Sequence, residues 1–288
     1  KLTEAGSKDL LEVLTPGALT SLQDKGRHGY QSLGIAEAGA MDAWSLVAAN
    51  RLAGNPDNAA ALEITIVGPK LRFLAPAWFS LAGADLSAAL DGRPLQPGAL
   101  YAAQPGQKLT FGQRKRGTRA YLAVAGGFAA PLVLGSRSTY IYAGFGGLHG
   151  RALAKGDVLS GGPVTDQPAP ERMPDDLLLP VDGPRTLRVI MGPQEDRFTS
   201  EGLETFLSQP YLVTPDSNRM GYRLEGPAIA HSGSPIVVSE STPPGAVQGP
   251  GQGTGPHRGL HQDRLHHHPG PGHGGPGPAR SRDTFSSG

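Results

Sequence analysis

Short runs in which apolar and polar residues alternate recur along much of the chain. Leu62, Ile64 and Ile66 share one face of a predicted strand, and Leu71 and Phe73 share one face of the next. Short strands separated by turn residues about every ten positions are typical of a β-barrel or a β-sandwich. The remaining predicted strands cover residues 79–81, 86–90, 109–111, 121–124, 187–191, 222–224 and 236–238.

Two stretches carry the spacing of a helix. Apolar residues recur at helical intervals over 41–52, and Gly54 can supply a left-handed C-terminal cap. A second helix is predicted over 200–208. Asp91-Gly92 predicts a tight hairpin turn. The sequence therefore predicts a mainly β fold with a few helices.

Composition narrows the class of protein. The 288 residues include no cysteine, which excludes disulfides, thiolate nucleophiles and cysteine-ligated zinc. The net charge of +1 gives no global field that would attract nucleic acid or an anionic membrane. No apolar run reaches the roughly 20 residues of a membrane helix. We therefore expect a cytoplasmic protein that binds neither nucleic acid nor membrane.

Proline and glycine mark the expected domain organisation. A proline-rich linker is predicted over 163–185, between an N-terminal β unit at 10–162 and a smaller part at 186–248. The tail 249–288 is dominated by Gly, Pro and His and contains few large apolar residues. Such a segment buries too little apolar area to offset its ordering entropy, so we expect disorder there.

The densest polar region of the sequence lies at 20–55. Asp24 and Arg27 stand beside Gly26 and Gly29, where glycine lets a backbone turn tightly and approach a ligand. A carboxylate and a guanidinium on such a loop can orient a carboxylate or amide substrate. The alternative is an ion pair within the loop, between Asp24 and Arg27.

Asp42 immediately precedes the first predicted helix. A carboxylate at this position satisfies exposed backbone N–H groups, so helix capping alone would explain it.

A glycine-rich polar stretch covers 126–151 and includes Ser136, Arg137 and Ser138. Backbone N–H groups of such loops, together with arginine, can hold a phosphate or a carboxylate. The sequence contains neither a P-loop nor a dinucleotide-binding fingerprint.

A third polar cluster is spread over 192–248. Gln194, Asn218 and Gln248 can donate to a carbonyl oxygen, Arg219 can bind a carboxylate, and Glu240 can act as a general base in a partly apolar pocket. Turn amides and surface ion pairs are the alternative. The histidines lack the spacing of a helical metal site, so no metal site is predicted.

Several of these segments occur together in one known family. The segments are TPGALTSLQDKGRHGYQSLGIAEAGAMDAW, RAYLAVAGGF, LGSRST, GFGGLHGRALAKGD, GPQEDRF, SNRMGYRLEGP and SESTPPGAVQ. Their order over residues 10–248 resembles the family of bacterial 5-oxoprolinase C subunits, also called allophanate hydrolase subunit 2 or KipA-type carboxyltransferase-domain proteins.

The resemblance implies a cyclophilin-like β-barrel architecture and an enzyme assembled from several subunits. The implied partners are a B subunit (allophanate hydrolase subunit 1, KipI-like) and an A subunit (LamB/YcsF-like), which together open 5-oxoproline to glutamate with ATP and Mg²⁺. It implies no biotin on this chain. It also raises the functional expectation for the predicted residues that lie within matching segments: Asp24, Arg27, Asp42, Gln194, Asn218, Arg219 and Glu240.

Two other functions share these motifs. One is a regulatory binding protein that antagonises a kinase-inhibitor partner. The other is a carboxyltransferase-like component of urea or allophanate metabolism.

The resemblance stops after Gln248. Family members continue with further strands, whereas this chain continues with the composition of GC-rich DNA translated out of frame. The fragment at 282–285 resembles the family's ending. We therefore hypothesise a frameshift near codon 249.

Overall fold

The structure, a computed structural model, describes residues 6–162, 172–173, 183–219, 221–233, 245–249 and, for the backbone alone, 283–287. The chain divides into two units, Lys1–Val181 and Asp182–Gly288.

The first unit contains two antiparallel sheets. In spatial order, the six-stranded sheet consists of β11 (Val158–Gly161), β1 (Lys8–Thr15), β4 (Lys70–Phe73), β9 (Lys108–Thr110), β6 (Ala89–Leu90) and β7 (Arg93–Pro94). The five-stranded sheet consists of β2 (Leu19–Gln23), β3 (Ala61–Thr65), β10 (Arg116–Val124), β5 (Ala77–Asp85) and β8 (Ala99–Ala103).

The main core contains residues of both sheets. Phe73 of the six-stranded sheet and Leu62, Ile64 and Leu122 of the five-stranded sheet are all fully buried in it. Burial of each such side chain contributes roughly 1.5–3 kcal/mol. The predicted alternation is confirmed here as far as Ile64. Ile66 departs from it, because the strand ends at Thr65 and Ile66 is 47% exposed at a φ of 57°.

Helix α1 (Ala43–Leu52) packs on the opposite face of the five-stranded sheet. Leu46 and Ala49 of the helix share a buried cluster with Ala82 and Tyr121 of the strands. After the helix, Gly54 takes a left-handed φ of 72°, as predicted. This contact fixes the N-terminal end of α1 beside the polar residues of β3 and β10.

The second unit contains a four-stranded sheet and one helix. In spatial order the strands are β12 (Arg185–Leu187), β15 (Asp283–Ser287), β13 (Tyr211–Val213) and β14 (Leu224–Glu225). Strands β13 and β15 are parallel, and the other two pairs are antiparallel. Helix α2 (Ser200–Ser208) is capped by Thr199, whose hydroxyl accepts from the N–H of Gly202 at 3.0 Å.

The mainly β class is confirmed, and so is the hairpin at Asp91-Gly92, where both residues take a positive φ. The described strands form three sheets rather than one closed barrel. The strand predicted over 187–191 is wrong beyond Leu187, since β12 ends there and Ile190 is 98% exposed. Within the described residues, no helix has the length and apolar character needed to cross a bilayer.

Other predictions lie largely outside the described residues. They are the strand at 236–238, most of the linker at 163–185 and most of the tail at 249–288, of which only Gly249 and β15 are described.

Candidate functional site

The carboxylate of Asp24 is enclosed at the end of β2 by hydrogen-bond donors. Its Oδ1 accepts from the N–H of Gly26 at 2.8 Å, from the Ser136 hydroxyl at 2.7 Å and from the Ser138 hydroxyl at 2.5 Å. Its Oδ2 accepts from the N–H of Arg137 at 2.6 Å. The residue is 1% exposed. The carboxylate therefore binds the loop after β2 to the segment 136–138.

The ligand of the glycine-rich stretch is a side chain of the same protein. The sequence indicated that backbone N–H groups of this stretch, together with arginine, can hold a phosphate or a carboxylate. In the structure, the donors of Ser136, Arg137 and Ser138 bind the chain's own Asp24. A carboxylate with this many charge-assisted hydrogen bonds fits a role in organising the loop. A catalytic role for Asp24 stays a prediction.

Arg27 lies three residues further along the same loop and is 1% exposed. Its Nη2 donates to the backbone carbonyl of Ser138 at 2.5 Å, and its Cζ lies 4.8 Å from the centre of the Phe145 ring. Nε and Nη1 are buried, and no hydrogen-bond acceptor among the described residues is within their reach.

The predicted ion pair between Asp24 and Arg27 is wrong. Among the described residues the two side chains do not pair directly. Both bind Ser138, Asp24 at the hydroxyl and Arg27 at the carbonyl. Desolvation lowers the pKa of Arg27 from its ordinary value, and the charge of Asp24 partly opposes this shift. The guanidinium is thus a buried cation, and Asp24, the acid whose charge acts on it, already accepts from other donors.

A glycine-rich segment covers this guanidinium. Gly146 lies so close that a Cβ there would be 2.2 Å from the carbonyl oxygen of Ser138 and 2.8 Å from Nη2 of Arg27. The rings of Tyr140 and Phe145 contact each other edge to face, with centroids 5.4 Å apart. Only glycine at 146 permits this approach.

Asp42 caps helix α1, as the alternative interpretation predicted. Its Oδ1 accepts from the N–H of Ser45 at 2.9 Å, and its Oδ2 accepts from the Ser45 hydroxyl at 2.5 Å. Its own N–H donates to the hydroxyl of Tyr121 at 2.8 Å.

Beneath this cap lies a second buried polar network, centred on Glu63. The Glu63 Oε2 accepts from the Tyr121 hydroxyl at 2.6 Å and from the N–H of Met41 at 2.7 Å. Arg119 approaches the other carboxylate oxygen at 3.9 Å. Burial raises the pKa of Tyr121 well above its ordinary value, and the charges of Glu63 and Asp42 raise it further.

The loop that precedes α1 joins the two networks. The N–H of Arg27 donates to the carbonyl of Glu37 at 2.8 Å, and the N–H of Ala40 donates to the carbonyl of Asp24 at 2.9 Å. Asp24, Arg27 and Asp42 therefore lie in one connected region of the first unit.

The other predicted residues belong to the second unit. Asn218 is exposed in a tight turn whose backbone pairs it with Gly221, which agrees with a turn amide. Gln194 precedes a 3₁₀ turn, Arg219 is half-buried and Gln248 is exposed. Glu240 lies outside the described residues. The binding roles of these residues remain predictions.

The sequence reasoning missed Glu63 and Tyr121. A signal was available, because the alternation that puts Leu62 and Ile64 into the main core puts Glu63 on the face that α1 covers. Tyr121 lies opposite Glu63 in the register of β3 and β10. This pairing depends on strands far apart in sequence, and local spacing does not reveal it.

Comparison with known proteins gives the family. The family described as "Carboxyltransferase domain, subdomain A and B" matches residues 33–255. The chain belongs to this carboxyltransferase-domain family.

One curated family member, the C subunit of 5-oxoprolinase from Escherichia coli K12, is 38% identical over 244 residues, which cover 85% of this chain and 77% of the relative. The urea amidolyase of Lachancea kluyveri is 38% identical over 232 residues, but the match covers only 12% of that protein.

Among solved structures, the family fold recurs in TTHA0988, with a TM-score of 0.75 and 30% identity over 97% of this chain and 55% of that one. The urea amidolyase of K. lactis gives a TM-score of 0.70 at 33% identity over 80% of this chain and 15% of that one.

Proposed function

We propose that this carboxyltransferase-domain chain is the C-type subunit of an ATP-dependent 5-oxoprolinase, which opens the lactam of 5-oxoproline to give L-glutamate. The observation that carries the proposal is the match to the C subunit of the Escherichia coli 5-oxoprolinase, which extends over 77% of that relative at 38% identity. A similar identity to urea amidolyase covers a small part of that enzyme. The proposal therefore favours the lactam hydrolase over a component of urea metabolism.

The proposed chemistry needs positioning more than a protein nucleophile. A lactam is a poor electrophile, and ATP with Mg²⁺ in the assembled complex supplies its activation. The protein must then hold the substrate carboxylate, the carbonyl and a water molecule in register. The proposal assigns no residue of this chain to the nucleotide. It includes a cytoplasmic location, where ATP is available.

The proposal also includes two partners. A B subunit of the allophanate hydrolase subunit 1 type and an A subunit of the LamB/YcsF type would complete the enzyme. The two connected networks around Asp24 and Asp42 support the proposed positioning role, because their hydrogen bonds hold loops against a sheet. Groups held on rigid elements are positioned most accurately for reaction.

The test is co-expression of this chain with A and B homologues, followed by an assay for glutamate released from 5-oxoproline. We expect release that requires ATP and all three chains. Omission of this chain is the matched control. A complete complex that releases no glutamate, or one that consumes ATP with urea instead of 5-oxoproline, would contradict the proposal.

A further inference from the structure

Arg27 differs from the other charged groups of the described network, because it is a buried cation that makes no direct contact with an acidic group among the described residues. The residue is 1% exposed, and within the described part of the chain its guanidinium makes one hydrogen bond, from Nη2 to the carbonyl of Ser138. The carbonyl is a neutral acceptor. Nε and Nη1 reach no acceptor among the described residues.

Asp24 does not supply the missing charge partner. Its two oxygens already accept from Gly26, Ser136, Arg137 and Ser138. A turn of its carboxylate toward Arg27 would leave several of these buried donors without an acceptor, which costs more than one new contact returns. The acid is therefore committed to the segment that carries the Ser138 carbonyl.

The orientation of the guanidinium is also fixed from two sides. One face lies on the ring of Phe145 at 4.8 Å, and Nη2 is held by Ser138. A guanidinium held in this way keeps its remaining N–H groups in fixed positions, from which each can donate to a carboxylate oxygen. Desolvation makes an unpaired cation costly, so an anionic ligand that pairs with it gains affinity.

The geometry points to Arg27 as the residue that binds the carboxylate of the substrate, with the N–H of Nε or of Nη1 donating to a carboxylate oxygen. This inference rests on the proposed function, because 5-oxoproline carries one carboxylate beside its lactam ring. It gives Arg27, rather than Arg219 of the second unit, the role of carboxylate receptor. Since Arg27 is covered by the segment around Gly146, entry of the ligand requires that segment to move.

The test measures binding to the full-length chain, alone and in the assembled complex, by calorimetric titration. The probes are 5-oxoproline and 2-pyrrolidinone, which has the same lactam ring but no carboxylate. We expect 5-oxoproline to bind and 2-pyrrolidinone to bind at least about tenfold more weakly, as expected for loss of a charged hydrogen-bond partner.

The variants are R27M, R27K and R51M. R27M removes the charge and the donors, and we expect it to weaken 5-oxoproline binding at least about tenfold. R27K keeps the charge without the planar donors and should also bind more weakly than wild type. R51M is the matched control, because Arg51 is an arginine whose side chain is 70% exposed and pairs with Asp57. It should bind like wild type.

Several results would overturn the inference. One is equal binding of the two lactams to wild-type protein, or no binding of either to the chain and to the complex. Another is an R27M variant that loses stability but keeps its affinity, since Arg27 would then be a structural residue whose free donors are satisfied by water.

The failure of the proposed function gives a different result. A complex that turns over 5-oxoproline normally with R27M contradicts only the role of Arg27. A chain that binds carboxylates through Arg27 in a complex without lactamase activity contradicts only the function.

Discussion

Ser138 joins the two charged residues that the sequence singles out. Its hydroxyl donates to Asp24, accepts from the N–H of Asp24 at 2.9 Å, and its carbonyl accepts from Arg27. One small residue thus replaces the ion pair that local spacing suggested. In a buried site this arrangement satisfies the carboxylate with neutral donors and leaves Nε and Nη1 of Arg27 without an acceptor among the described residues.

Tyr121 gives a prediction about pH. Its pKa is raised in the folded protein, so above about pH 10 the unfolded chain loses the phenolic proton while the folded chain keeps it. The contribution of this group to stability is therefore constant below about pH 10 and is lost as pH rises toward the folded value. We expect the free energy of unfolding to fall in this alkaline range, and to fall less in Y121F.

At pH 7 the same variant should be less stable by about 1–3 kcal/mol. The phenyl ring keeps the apolar contacts, but Glu63 loses a donor and the N–H of Asp42 loses an acceptor. Denaturant unfolding at pH 7 and at alkaline pH measures both effects. The control is Y142F, which removes the hydroxyl of a residue that is 61% exposed. Equal stability of Y121F and Y142F would show that the network contributes nothing.

Individual residues were predictable where their partner lies close in sequence. The capping role of Asp42 follows from its place before the helix, since its partner Ser45 is three residues away. The partner of Asp24 is not local. Ser138 lies 114 residues further along the chain, and no spacing rule connects the two. For the same reason Glu63 was missed.

At the scale of elements, the segment that covers Arg27 depends on its glycines. Gly144 and Gly146 belong to the same segment and have similar left-handed φ values of 68° and 72°. A Cβ at Gly144 would meet nothing within 4 Å, whereas a Cβ at Gly146 would collide with the carbonyl of Ser138. Substitutions at Gly144 and Gly146 therefore distinguish the free-energy cost of backbone strain, which both share, from the cost of a steric clash, which only Gly146 has.

We expect G144A to destabilise the protein by about 1 kcal/mol, the usual strain of a side chain at positive φ. G146A should cost several times more, because its methyl group must displace the backbone that holds Ser138 and Arg27. Denaturant unfolding of the two variants provides the comparison. The explanation fails if the two substitutions cost the same.

Elements defined by local signals were predicted well. Both helices were predicted from the sequence, the first of them with Asp42 and Gly54 at its ends, and the Asp91-Gly92 hairpin was predicted from its turn residues. The strand predicted over 187–191 was wrong at its end. Strand β12 pairs with β15 only over Arg185–Leu187, so pairing across the sheet, rather than the apolar run, sets its length.

At the scale of the whole molecule, the order of the strands within each sheet could not be predicted from the sequence. Strand β1 pairs with β11, which lies about 150 residues further along the chain. The chain also passes back and forth between the two sheets of the first unit, so strands that follow each other in sequence often belong to different sheets. Period-two patterns fix which residues face a core, but they do not say which strands are neighbours. The family could nevertheless be predicted, because the order of the matching segments is a property of most of the chain and not of any one segment.

The last strand, β15, pairs with strands that lie far from it in the sequence. Strand β15, Asp283–Ser287, lies inside the four-stranded sheet, between β12 and β13. It falls in the tail that composition led us to expect as disordered, and it includes residues 283–285 of the fragment that resembles the family's ending. Its backbone position makes it an internal strand of the sheet, and among the described strands β12 and β13 are joined through it alone.

Loss of this strand should therefore open the sheet of the second unit. We propose to replace residues 283–287 by a Gly-Ser segment of equal length, which has low β-propensity and keeps the chain length. Amide hydrogen exchange should then become faster in β12 and β13, because their N–H groups lose partners, while exchange in β3 and β10 of the first unit stays unchanged. The matched control replaces residues 253–257, outside the described strands. If exchange in β12 and β13 is the same in both variants, the tail is not part of this sheet, and the resemblance at 282–285 carries no structural meaning.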